Sequence, residues 1–224
     1  MNKEDFKNAI EQLKKNSPKR KFTQSYDFII NLKDLDLKVP EQQVELWIQL
    51  PHTTGREVKV CALVSGELAE SAKKNCNFTI INEEFKQYAT DKKKLRKLAE
   101  EYDYFVAQAN IMQDIAKTFG RVLGPRGKMP NPKAGCVVPP NANLAQLVER
   151  LKKTVKVSAK TQASIKAIVG NEKMSDDQVI DNIVSIHSHV VHALPQEDKN
   201  IKNLLLKFTM SAPIKVTSAE KESK

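Results

Sequence analysis

Apolar residues along the 224-residue chain change rhythm twice. Phe6, Ile10 and Leu13 recur at helical spacing, which predicts an amphipathic helix that ends before Ser17-Pro18, because the residue ahead of a proline is pushed out of the helical region. Two alternating runs follow, Tyr26, Phe28, Ile30 and Leu32, then Val44, Leu46, Ile48 and Leu50, with Pro40 between them. A period of two predicts strands with one buried face. Past Leu50-Pro51 strands alternate with helices. VKVCALV (Val58 to Val64), FTII (Phe78 to Ile81) and YFVAQA (Tyr104 to Ala109) are strand-like, while GELAESAKKN, DKKKLRKLAEEY and IMQDIAKTF are helix-like. That alternation implies parallel pairing through right-handed crossovers.

After a Gly/Pro-rich stretch and a helix from Leu144 to Lys153, longer strands return. VKVSAK and SIKAIVG read as sheet, and SDDQVIDNIVSIHSHVVHAL as a helix capped by Ser175 with Asp176 and Asp177 in its first turn. LLLKFTM and IKV are sheet again. One half therefore looks interrupted by the other. An α+β unit opens at residue 1, pauses near 52, resumes near 157 and closes near 217, and residues 218–224 form a polar tail expected to be disordered.

Charge adds a partner. Lys and Arg number 37 against 27 Asp and Glu. Between Lys117 and Lys160 stand ten basic residues and a single acid, Glu149, and a second cluster comprises Lys14, Lys15, Lys19, Arg20 and Lys21. Such clusters are the footprint of a polyanion, nucleic acid first, against the plainer reading of solvated surface lysines. The run GRVLGPRGKMPNPKAG (Gly120 to Gly135) holds four of the seven glycines, three of the ten prolines and four cations, Arg121, Arg126, Lys128 and Lys133. Its composition reads as neither helix nor strand, either a phosphate-facing loop or a plain connector.

Other chemistries fare worse. A phosphate-binding GxxxxGK[ST] loop needs glycine where Val122 stands and a hydroxyl where Met129 stands, and GxGxxG is absent. His187, His189 and His192 lie on one expected helix, but their offsets do not place all three on one face, so packing or exposure is preferred to a metal role. His52 reads as a turn residue. Cys61, Cys76 and Cys136 have no CxxC spacing and read as free thiols of a reducing compartment. No nucleophile signature such as GxSxG occurs. Met1 to Lys21 is polar and no run of eighteen apolar residues exists, so a cytoplasmic protein is expected. Phe22, directly after Lys19-Arg20-Lys21, has two readings, a base-stacking aromatic or the first core residue of the next strand, with the core reading preferred.

GRVLGPRGKMPNPKAG, with LPHTTGREVKV upstream and FTM near the C-terminus, resembles the L-one family of large-subunit ribosomal proteins, in its archaeal form. The resemblance covers residues 1–217. It implies two domains, combining α/β and α+β classes. Residues 1–52 and 157–217 would form a discontinuous α+β rRNA-binding domain, and residues 53–156 an inserted Rossmann-like three-layer α/β/α domain, with hinges near His52 to Thr54 and Val155 to Val157. It implies a non-enzymatic constituent of the large ribosomal subunit, without cofactor or metal and monomeric when free. Such a protein binds large-subunit rRNA to form the mobile lateral stalk and assists release of deacylated exit-site tRNA. Many members also repress translation of their own mRNA. The matching rRNA- and mRNA-binding positions are Lys21, Phe22, Ser25, Lys166, Thr209, Met210 and Ser211. Where the family usually has Thr-Met-Gly-Pro, this chain has Thr209-Met210-Ser211-Ala212-Pro213, and Ser211 lacks glycine's access to positive φ. With the expected boundaries the insert carries eight of the ten net charges, so it is expected to supply a nonspecific field toward tRNA or neighbouring rRNA while the terminal domain anchors. A nucleotide-dependent α/β enzyme and a free-standing mRNA regulator are the alternatives.

Overall fold

A computed structural model describes residues 3–216; the expected polar tail lies outside them. The chain divides into two compact units, residues 1–56 with 153–224, and residues 57–152. The architecture is mixed α/β, with discrete sheets in each unit.

In the first unit, α1 (Lys3–Asn16) buries Phe6, Ala9, Ile10 and Leu13, the helical stripe expected from their spacing. Strand β1 (Ser25–Leu32) alternates strictly between buried and half-buried positions. It lies between β8 (Ser164–Asn171) and β9 (Ile201–Phe208), and β10 (Ile214–Val216) extends the antiparallel sheet beyond β9 in the order β10-β9-β1-β8. Helix α7 (Asp176–Ala193) packs with α1 on one face. Phe6 meets Phe28 edge-on at 6.2 Å, and Tyr26 lies 4.5 Å from Phe208. A two-stranded antiparallel ribbon, β2 (Val44–Gln49) with β7 (Thr154–Ala159), shares this core through Val44, Ile48, Val157 and Ala159. His52 to Thr54 and Val155 to Val157 both lie inside this unit, and Val155 and Val157 pair with Ile48 and Leu46.

The second unit is a parallel four-stranded sheet in the order β4-β3-β5-β6, from β3 (Val60–Val64), β4 (Phe78–Ile81), β5 (Tyr104–Gln108) and β6 (Val137–Val138). All five residues of β3 are buried, as a parallel strand covered on both faces requires. Helices α3 (Phe85–Thr90), α4 (Lys92–Glu101) and α5 (Met112–Leu123) enclose Cys61, Leu63, Ile80 and Phe105. Helices α2 (Gly66–Asn75) and α6 (Leu144–Lys152) pack together, α2 burying Leu68, Ala69 and Ala72 and α6 burying Leu144, Leu147, Val148 and Leu151.

Three expectations need correction. Gly120 to Leu123 are not loop but the last turn of α5: Phe119 and Leu123, four residues apart, are both buried, and that packing outweighs glycine's poor helix propensity at position 120. Helix α3 was not foreseen, because six residues are too few for a periodic signal. Ser175 stands at the N-cap of α7 without a capping hydrogen bond, and Asp176 in the first turn instead accepts from Lys14 of α1.

Candidate nucleic-acid interface

Helices α1 and α7 cover one face of the terminal sheet, so strand alternation leaves the opposite face open. The register aligns Lys215, Leu205, Ile29 and Lys166 in one row across all four strands. Asn203, Asn31 and Ser164 form the row on one side, and Lys207, Asp27 and Ile168 the row on the other. Asn31 donates to Asn203 at 2.6 Å. Burial raises the Asp27 carboxyl above its ordinary value, with Lys207 opposing the shift. The face thus mixes three cations, three apolar side chains and three neutral polar ones with the single acid Asp27.

At one end of this face the chain builds a compact polar knot. Ser25 donates its N–H to Thr209 Oγ1 at 3.1 Å, the two hydroxyl oxygens are 3.3 Å apart, and Thr209 N–H returns to Ser25 O at 3.2 Å. Beneath them lies Gln24, 1 % exposed. Its N–H and its side-chain amide donate to the two carboxylate oxygens of Glu172, at 3.1 and 2.9 Å, while its amide oxygen accepts from Met210 N–H at 3.2 Å. Gln24 therefore fixes both chain crossings at once. A glutamine between a threonine and a serine carries no spacing signal, so neither it nor Glu172 was legible from the sequence.

Ser211 closes the turn. Its hydroxyl oxygen accepts from Phe208 N–H at 2.8 Å and donates to Ala212 O at 3.1 Å. Ser211 is not among the described residues with positive φ, so this turn does not call on the glycine conformation that the family pattern suggests. The preferred core reading of Phe22 is overturned: the strand begins at Ser25, and Phe22 is 50 % exposed. Met210 is 59 % exposed. These are the two most exposed large hydrophobic side chains among the described residues, and each is within two residues of Gln24 or bonded to it. Lys21 is exposed immediately upstream. Lys166 stands apart on β8, paired with Ile29, about 13 Å along β1 from Ser25 at a strand rise near 3.3 Å per residue.

The four cations of the Gly/Pro run have different fates in the second unit. Lys128 Nζ donates to Ala99 O and Tyr102 O, both at 2.7 Å, and so caps the carbonyl end of α4. Arg126 donates to Arg96 O and to Glu100, each at 2.9 Å. Arg121 and Lys133 are exposed. Gly127 and Gly135 adopt φ of +65° and +71°, and a Cβ at Gly135 would come within 1.9 Å of the Arg150 guanidinium. The motif is to a large extent a device for clamping α5, α4 and β6 together.

The remaining candidates do not converge. His187 packs edge-on against Phe6, 6.3 Å between rings, and burial depresses its pKa. His189 contacts Ser185 O at 2.7 Å, and His52 Nε2 lies 3.7 Å from Asp181, which Lys3 also holds at 2.8 Å. Among the described residues no three His, Cys, Asp or Glu side chains are grouped to hold a metal ion, and no helix is long and apolar enough to cross a membrane. Burial pushes the Cys76 and Cys136 thiols up to about 11, so neither is a ready nucleophile at neutral pH.

Comparison with known proteins places the chain among relatives of full length. Residues 13–212 match the Ribosomal protein L1p/L10e family. The large ribosomal subunit protein uL1 of Methanocaldococcus jannaschii is 38 % identical over 224 residues, covering 100 % of both chains. Its counterpart in Methanothermococcus thermolithotrophicus is 40 % identical over 216 residues, 96 % of this chain and 99 % of that one. That of Pyrococcus abyssi is 39 % identical over 209 residues, 93 % of each.

Proposed function

The chain belongs to the ribosomal protein L1p/L10e family, non-enzymatic rRNA-binding constituents of the large subunit's lateral stalk, and from that premise we propose that the terminal unit is its rRNA anchor. The observation that carries this reading is the pairing of two exposed apolar side chains, Phe22 and Met210, with the Ser25–Thr209 hydroxyl pair on a scaffold fixed by Gln24 and Glu172. Exposed aromatic and thioether groups offer stacking surfaces to unpaired bases. Hydroxyls offer donors and acceptors to phosphate and to the 2′-OH that separates RNA from DNA. Lys166 adds a cation to this face and Lys21 an exposed one on the segment leading into β1, and Ser211 holds the turn that presents Met210.

The second unit is read as a Rossmann-like insert that swings with the stalk and helps deacylated tRNA leave. Its first strand-to-helix turn, Ser65-Gly66, lacks a glycine-rich phosphate cradle, which disfavours a nucleotide-dependent enzyme. A structured mRNA element that mimics the rRNA site would occupy the same terminal surface, so repression of the protein's own message follows from one site serving two RNAs.

The test is affinity for a stalk-rRNA fragment. Phe22→Ala and Thr209→Ala should each weaken binding about 5- to 150-fold, the span of one lost stacking or buried polar contact of about 1–3 kcal/mol. A loss from Lys128→Ala as large as these would refute the assignment of the anchor.

A further inference from the structure

We propose that a cleft of about 460 Å³ in the second unit, between α3, α4 and α5, binds the sugar–phosphate backbone of RNA as a contact separate from the terminal anchor. Every charged residue lining it is a cation: Arg96 from α4, Lys117 and Arg121 from α5, and Arg126 from the turn that follows. Lys117 and Arg121 are one helical turn apart on the same face, about 6 Å along the axis, a separation that matches neighbouring phosphates on a strand. Arg126 is already oriented by Arg96 O and by Glu100 at the rim. No described acid pairs with Arg96, Lys117 or Arg121.

Cations gathered around one concavity repel each other unless an anion enters, and low-dielectric walls concentrate their field there. Part of the lining between these cations is apolar. Leu95 and Val122 line the floor, and the half-buried Thr118 supplies the single hydroxyl. A floor for a ribose or base, a hydroxyl for a phosphate oxygen, and cations around them fit a polynucleotide better than a free inorganic anion, which would fill little of the volume. The inference rests on the chain's RNA-binding family, but not on which unit carries the anchor.

The salt dependence of binding tests it, because each phosphate contact contributes about 0.7–0.9 to the slope of log K against log salt. Lys117→Gln/Arg121→Gln in the full chain should flatten the slope by about 1.5. It should do so for a stalk-rRNA fragment, for deacylated tRNA, or for both, and whichever RNA responds identifies the source of the backbone. Arg96→Gln, from the other wall, should flatten it by about half as much. Lys73→Gln/Lys74→Gln removes the same charge from α2, outside the cleft, and should leave the slope unchanged. Slopes unchanged for both RNAs, or equal flattening by the α2 control, would overturn the proposal. Thr209→Ala should lower affinity for the fragment without changing the slope, so failure of the anchor assignment and failure of the cleft give different results.

Discussion

The terminal and inserted units build sheets of the same size and expose opposite things. The terminal sheet is antiparallel and clothed on one face, so its alternation presents half of each strand outward, including Ile29, Leu205 and Lys166. The inserted sheet is parallel, with β3 buried throughout, and addresses a partner mainly through its helices and loops. Net charge does not separate the two. Divided between residues 56 and 57 and between 152 and 153, the sequence carries 21 basic and 16 acidic residues in the terminal unit and 16 and 11 in the insert, an excess of five each. The expected asymmetry came from assigning Arg56, Lys153 and Lys156 to the insert. Shape and exposed apolar groups, not total charge, distinguish the surfaces.

The strongest way to break this comparison is to separate the units. With residues 57–152 replaced by a short Gly-Ser linker, specific affinity for the stalk-rRNA fragment should stay within about threefold. The isolated insert should bind the same fragment only weakly and with strong salt dependence, about 10³-fold less tightly, the usual gap between specific and nonspecific binding. Titration of both pieces at two salt concentrations checks this, and comparable affinities would remove the distinction.

Next in size is Lys128→Ala. It strands two helix-end carbonyls, Ala99 O and Tyr102 O, at a cost of about 1–3 kcal/mol for each buried group left unpaired. The loss should fall on the insert alone. Trp47, the chain's only tryptophan, sits in β2 of the terminal unit, so its fluorescence transition in urea should stay in place while the far-UV transition of the insert moves to lower urea. Gly135→Ala should act in the same direction but more weakly, about 1–2 kcal/mol for an L-residue held in left-handed backbone, with the flexible Arg150 end giving way.

Much of this was legible in advance, for reasons that differ between elements. The stripe Phe6, Ile10, Leu13 and the alternation of β1 are periodic and long enough to read. The six residues of α3 are not. The last turn of α5 was masked by Gly120, because propensity is local whereas the burial of Phe119 and Leu123 is tertiary. At the candidate site the family pattern named Phe22, Ser25, Thr209 and Met210. The residue that joins them, Gln24, is recognisable only once β1 and β9 are side by side, since its partners Glu172 and Met210 stand 148 and 186 positions away.

The smallest expected effect concerns pH and again divides the units. His187 lies in the terminal core with its pKa depressed from 6.5, chiefly by burial and despite Asp198 at 4.0 Å. Below 6.5 the unfolded chain takes up a proton that the folded chain resists, so stability is full above that value and falls as pH drops toward the folded-state pKa. Glu45, held low by Lys160, and Asp181, held low by Lys3, lose their contribution only below the ordinary carboxylate range, whereas Asp27, raised by burial, shifts stability the other way on acidification. The difference between wild type and His187→Gln isolates the histidine from these. Between pH 7.5 and 5.5 the Trp47 transition of the wild type should move to lower urea, and that of His187→Gln should move less. Equal shifts would show that the imidazole packed on Phe6 does not carry the acid sensitivity of the terminal unit.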